Sequence, residues 1–398
     1  MTDSNGENYK WLILLLGTSS FIFVVGFQRA CIPVLFKEIL DDLGLSMLEI
    51  GAIWGMDSFA GMFVSLPAGL IIDRFKIKRV LTFVCLSIGV FSALRGLSVG
   101  FISMSIAMFA FGLFTPMMAT LVPKTLAVWF DRSNLGFANS ILNMGLTVGQ
   151  MLAASFSATI MSPLLGGWRK VLFIYGIFPI LMALLWHFFA REPKNISSPV
   201  NDIDRVPFRQ ALLRVLKIRQ VWMLALIMFG HMGAYGGFIG FLPVYLRESA
   251  WSVFNADGAL TLFLGAISLS SIPIALISDK LGSRKKILVP ALILECITLG
   301  LIPIFNGTAL WFLIAVHGLL RGGLTALLRA FVVETKGVGP TYAGTATGLV
   351  STFLMLGYAI FPPLGNSLAH INMGLPFILW ASLLGLTMMA FIFVKDAE

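Results

Sequence analysis

Charge is scarce in this chain. Only 12% of its 398 residues are Asp, Glu, Lys or Arg, while 58% are hydrophobic and the mean hydropathy is +0.92. So few polar groups cannot coat so much apolar surface, which excludes a water-soluble globule. Histidine (4) and cysteine (3) are also rare. Cys31, Cys85 and Cys296 all fall inside apolar runs, so a disulfide framework is excluded and they read as small packing residues. No nucleophile–base pair, phosphate-binding glycine loop or metal-ligand cluster stands in the sequence, so the expected function is not enzymatic, with no cofactor and no metal. The opening Met1-Thr-Asp-Ser-Asn-Gly-Glu-Asn has no basic segment, which argues against a cleaved leader.

What the chain has in quantity is long apolar runs. Stretches able to cross a bilayer at about 1.5 Å per residue follow one another with short polar breaks. Twelve are predicted: Trp11–Leu35, Met47–Ile72, Val80–Leu97, Met104–Phe130, Phe137–Leu164, Val171–Ala190, Val221–Tyr245, Ala259–Ser278, Ile287–Ile304, Ala309–Val333, Ala343–Leu364 and Leu375–Val394. Backbone polar groups in lipid must be satisfied within the segment, so these are helices and the expected fold is all-α. The one long polar stretch lies between the sixth and seventh runs. It contains Asn201-Asp-Ile-Asp-Arg205 and a basic amphipathic segment, Pro207–Lys217, that predicts a helix lying on the membrane surface. The expected organisation is a six-helix bundle over 1–190, a linker over 191–220 and a second bundle over 221–398.

The net charge of +9 is distributed by side rather than gathered into a nucleic-acid patch. With the N-terminus inside, inner segments hold Lys10, the Arg74–Arg79 and Lys280–Lys286 clusters, Arg132, the linker bases, Lys336 and Lys395. Outer loops hold Lys37, Arg169, Lys170 and Arg247. This asymmetry predicts both termini in the cytoplasm. A short chain without appended domains fits a prokaryotic inner-membrane protein, expected to be a monomer in the lipid bilayer.

The chain repeats itself. Ser65-Leu-Pro67-Ala-Gly-Leu-Ile-Ile-Asp73-Arg74 returns as Ser271-Ile-Pro273-Ile-Ala-Leu-Ile-Ser-Asp279-Lys280, with Ser, Pro and Asp at one offset and a basic cluster after each copy. Gly136 and Gly149 return as Gly344 and Gly357 at nearly the same offset. An echo at half the chain length marks a duplicated unit, and the glycines predict close helix approach in both halves.

Asp73-Arg-Phe-Lys-Ile-Lys-Arg79, with Gly69 before it, and Asp279-Lys280-Leu-Gly282-Ser-Arg284-Lys-Lys286 resemble the loop signature of the major facilitator superfamily. The pattern departs in having Lys76 where glycine is usual in the first copy and Ala275 for the leading glycine in the second. The resemblance implies two pseudo-symmetric six-helix bundles. It also implies a gating role for Gly69, Asp73, Arg74, Arg79, Asp279, Lys280, Gly282 and Arg284, whose contacts form in one rocking state and break in another.

Ionisable groups deep in the apolar runs are the candidates for function, because burying them in lipid is costly. Arg321 is central in the tenth run, one turn after His317, and either contacts substrate or pairs with Glu295, central in the ninth. Arg29 and Asp57 lie at similar depth in the first two runs. They either neutralise one another or serve as anion anchor and proton carrier. Arg29 also resembles the first-helix arginine of organophosphate and organic-anion carriers. Lys124 and Arg329 occupy near-equivalent places in the fourth and tenth runs and flank an anion path, unless they snorkel to lipid heads. His231, followed one turn later by Tyr235 and set among Gly233, Gly236 and Gly237, lies in an expected glycine-broken helix and either lines the substrate cavity or is a neutral core histidine. Arg95 and His187 stand near run ends, where snorkelling accounts for them.

These groups are mostly positive, so the expected activity is secondary transport of a small anionic solute by alternating access, coupled to uptake of protons through Asp57 or Glu295. The stretch from Pro123 to Gly149 is similar to nitrate/nitrite, cyanate and monocarboxylate-type carriers, although the second and eighth runs lack the arginines of nitrate porters. A proton-driven drug or metabolite exporter is the alternative. The sequence Gly145-Leu-Thr-Val-Gly149 lacks the proline typical of exporters in the fifth helix. A non-transporting receptor on the same scaffold is a third.

Overall fold

The computed structural model describes residues 4–65, 76–191, 208–281 and 283–394. Among the described residues, twelve helices are long and apolar enough to cross a membrane: α1 Tyr9–Leu43, α2 Met47–Val64, α3 Ile77–Arg95, α4 Phe101–Trp129, α5 Asn134–Leu165, α6 Trp168–Phe189, α7 Arg219–Glu248, α8 Val253–Ser278, α9 Arg284–Ile304, α10 Gly307–Glu334, α11 Thr341–Asn366 and α12 Leu375–Phe393. No strand occurs among the described residues. Each predicted run corresponds to one helix. α1 extends beyond its run at both ends because Asp41 and Asp42 continue the helix as far as Leu43, where Gly44 takes a left-handed conformation (φ 63°) and stops it. The basic amphipathic segment forms a helix at Phe208–Val215, with Ala211 and Val215 buried and Arg209 and Arg214 exposed.

The protein packs as two compact units. One comprises Met1–Leu45, Phe63–Ser198 and Ala250–Thr261; the other comprises Ser46–Met62, Pro199–Ser249 and Leu262–Glu398. Side chains such as Leu269, Phe188, Phe312 and Ile392 point outward on the helices, each more than 70% exposed, and form the apolar skin that lipid covers.

Lipid is as apolar as leucine, so packing between helices depends on how closely their backbones meet. The repeat makes the same crossing twice. In the first unit, a Cβ on Gly149 of α5 would lie 2.8 Å from Ile22 Cα of α1. In the second, a Cβ on Gly357 of α11 would strike the Phe229 carbonyl of α7. Gly136 and Gly344 do not share this role: both are exposed, and nothing among the described residues lies within 4 Å of a Cβ at either.

α7 corrects a second expectation. Despite Gly230, Gly233, Gly236, Gly237 and Gly240, it runs unbroken from Arg219 to Glu248. Its glycines are notches into which side chains of other helices fit: Thr387 at Gly230, Phe361 at Gly233, Tyr358 at Gly236, Trp380 at Gly237 and Trp54 at Gly240. Packing from all sides holds the helix. From Gly230 to Leu246 every residue except Tyr235 is buried. The interruption falls instead in α10, whose two parts end and begin at Arg321 and Leu324. Gly322 leaves helical geometry (φ −58°, ψ 133°) and Gly323 takes φ +79°, a conformation that side chains resist.

Candidate functional site

The break in α10 sits beside α7 and α9 in the second unit, and their polar residues converge there. α9 supplies Glu295, 1% exposed, and α10 supplies Arg321 as the last residue before the break. Arg321 Nη1 donates to Glu295 Oε1, and Nη2 donates to the His231 carbonyl at 3.2 Å. The guanidinium also lies over the Tyr235 ring, 4.0 Å from its centroid. His231 Nδ1 stands 3.0 Å from the other carboxylate oxygen of Glu295, and Nε2 stands 3.3 Å from Thr325 Oγ1. An ionised carboxylate only accepts, so Nδ1 carries the proton and donates to Glu295. The hydroxyl of Thr325 then donates to Nε2. His231 therefore touches both parts of α10, one through Arg321 and the other through Thr325.

His317, one turn before Arg321, joins indirectly. Its Nδ1 is 2.8 Å from Thr298 Oγ1 on α9, and its ring stacks on Phe263 at 5.5 Å between centroids. Tyr235 continues into an aromatic cluster with Tyr358 at 6.1 Å, and Tyr358 meets Trp54 at 5.8 Å. His231, Glu295, His317 and Arg321, with the half-buried Tyr235 ring under the guanidinium, thus assemble into one network. Glu295 and Arg321 take up the pairing that the sequence left as an alternative. Thr298 and Thr325, which complete the network, carry no sequence signal, since threonine is unremarkable in an apolar helix.

Arg29 is half-buried on α1, and Lys124 is half-buried on α4 of the same unit. Asp57 is buried on α2, in the second unit, and Arg329 is exposed on α10. Arg95 overturns its reading as a snorkelling residue. It is fully buried, donating from Nη1 to the Gln28 carbonyl (3.1 Å) and from Nη2 to Ser92 Oγ (2.9 Å), with Phe111 below it at 4.4 Å. Polar groups that meet it from α1 and from its own helix hold the end of α3 inward. His187 is exposed.

Of the signature residues, Gly69, Asp73, Arg74 and Gly282 lie outside the described residues, as does the side chain of Asp279. Arg79 and Lys280 are exposed. Arg284 bonds to Glu334 at the end of α10 (3.1 Å) and to Ser278 Oγ (3.0 Å).

A family model described as Major Facilitator Superfamily matches residues 18–269 and 250–398. The chain belongs to the major facilitator superfamily. It is 26% identical over 374 residues to a cis,cis-muconate transport protein of Acinetobacter baylyi, covering 89% of this chain and 87% of that one. It is 25% identical over 277 residues to the uncharacterized transporter YybO of Bacillus subtilis, covering 66% of this chain and 63% of that one. It is also 27% identical over 206 residues to a probable galactarate/D-glucarate transporter of Escherichia coli, covering 48% of this chain and 44% of that one. The chain therefore spans less than two thirds of the length of the second and third of these proteins. Its fold is shared with the nucleoside transporter NupG (TM-score 0.80, 14% identity, 96% of this chain and 99% of that one). It is shared as well with a bacterial homologue of the human lysosomal transporter Spinster (TM-score 0.77, 16% identity, 99% and 97%). The protein is thus an integral, multi-pass membrane member of a transporter superfamily, a class that binds small-molecule substrates.

Proposed function

We propose that this superfamily member moves a small organic carboxylate across the membrane by alternating access, with a proton as the coupling ion. The observation that carries the reading is the Arg321–Glu295–His231 assembly at the break in α10. Glu295 occupies Arg321 as a built-in carboxylate. Protonation of Glu295, relayed through the His231 ring, frees the guanidinium to take the carboxylate of a substrate, so proton and anion bind together. A guanidinium suits this exchange because its fork matches a carboxylate. Arg29 and Lys124 are read as anion contacts of the first unit, and the gating assignment of the signature residues belongs to the same cycle. The names of relatives that carry muconate and, as probable substrates, galactarate or glucarate support organic acids as the substrate class.

The test is uptake of cis,cis-muconate and D-glucarate into proteoliposomes holding the purified protein, with and without an inward proton gradient. Gradient-stimulated uptake of either acid is expected. Glu295→Gln is expected to lose gradient-driven accumulation while retaining exchange of labelled for unlabelled acid, since exchange needs no net proton movement. No uptake of any organic acid, with extrusion of lipophilic cations instead, would replace this reading by the exporter.

A further inference from the structure

Arg95 and Gln28 are buried, strongly bonded and unused by the cycle above. They meet at the place where α1 departs from α-helical geometry. Residues Phe21–Gly26 form a π-helical turn: the N–H of Phe27 reaches Ile22 O, five residues back. The carbonyl of Phe23 thereby loses its usual partner, which is the N–H of Phe27. The Gln28 carboxamide replaces it, donating from Nε2 to Phe23 O at 3.1 Å, and it also donates to Tyr175 O on α6 at 2.7 Å. Arg95 of α3 fixes the other side of Gln28. Its Nη1 binds the Gln28 carbonyl at 3.1 Å and its Nη2 binds Gln28 Oε1 at 3.2 Å. Gln28 is 0% exposed and so is Arg95.

A π turn inserts one residue into an α-helix, and everything after it is rotated by about 100°. The next side chain after Gln28 is Arg29. We infer that Gln28 and Arg95 are positioning residues: they hold the π turn of α1 and thereby set the face on which Arg29 stands. The inference rests on the reading of Arg29 as a substrate-anion contact, but the orientation itself is open to a substrate-free test. Relaxing the turn returns Phe23 O to Phe27 and turns Arg29 away from its present face.

The experiment reads the position of residue 29 directly. Arg29→Cys is placed in a Cys296→Ala background, where the remaining Cys31 and Cys85 are buried and silent. The purified full-length protein is then labelled with a charged methanethiosulfonate. Adding Gln28→Leu is expected to change the labelling rate at position 29 by about tenfold, the scale of a side chain moving between packed and open surroundings. A control cysteine at exposed Asn143 on α5 keeps its rate. Ser92→Ala removes one acceptor of Arg95 without emptying the site, and it is expected to shift the rate in the same direction by less. An unchanged rate at position 29 in folded Gln28→Leu and Ser92→Ala proteins overturns the inference, and so do equal changes at 29 and 143. The parent reading is checked separately in the Arg29→Ala protein. Loss of thermal stabilisation by muconate and glucarate supports the anion contact, and retained stabilisation removes it while the labelling still reports on the turn.

Discussion

Arg321 and Glu295 show how a membrane interior treats a charge. Each is almost wholly removed from solvent, so each depends on the other, and removing one leaves the other buried without its countercharge. Arg321→Ala is therefore expected to cost about 3–5 kcal/mol of stability. Replacing both partners together, as Arg321→Met with Glu295→Met, is expected to restore most of the melting temperature while leaving transport abolished. Recovery of both stability and transport in the double variant would show the pair to be structural and no more. These two residues were legible in the sequence because charges deep in apolar runs are conspicuous. Arg95 was not, because distance along a helix says nothing about which neighbours fold over its end. Thr298 and Thr325 were invisible for a related reason: a threonine becomes informative only when a histidine is seen beside it.

At the scale of the element, glycine count and helix geometry part company. α7 carries five glycines between Gly230 and Gly240 and stays helical, whereas two glycines suffice to break α10. What differs is the surroundings. Four rings and the Thr387 side chain fill the notches of α7, while Gly322 and Gly323 press on α8, where a Cβ at Gly323 would meet Ser271 O at 3.1 Å. Gly323→Ala is expected to lose about 1–2 kcal/mol from its positive φ alone, read as a lower melting temperature. The paired glycines of the repeat allow a sharper comparison. Gly149→Ala is expected to destabilise by about 1–3 kcal/mol, because the added methyl meets the backbone of Ile22. Gly136→Ala, with nothing among the described residues within 4 Å of the added methyl, is expected to stay within about 0.5 kcal/mol of the parent. Equal effects at the two sites would show that the echo reflects something other than close packing.

For the whole molecule, the compact units do not coincide with the two sequence halves. The unit built mainly from the first half also takes Ala250–Thr261, where Asp257 accepts from Thr159 Oγ1 at 2.8 Å and Thr261 meets Ser155 at 2.8 Å. The unit built mainly from the second half takes Ser46–Met62, where Trp54 Nε1 donates to Gly236 O at 2.9 Å and Asn366 Nδ2 donates to Met47 O at 3.1 Å. Each half expressed alone thus lacks a piece of its own compact unit. Residues 1–200 and 201–398 are expected to aggregate separately and to yield a monodisperse protein when co-expressed. Stable, monodisperse single halves would contradict this division. Composition and periodicity along one dimension were enough for the membrane environment, the all-α fold, the twelve apolar helices and the duplication. Tertiary structure alone decided that Arg95 is buried, that α10 rather than α7 is interrupted, and that His231 joins Arg321 to Glu295. Those outcomes depend on which side chains from distant segments fill a notch or meet a charge, and no local pattern carries that information.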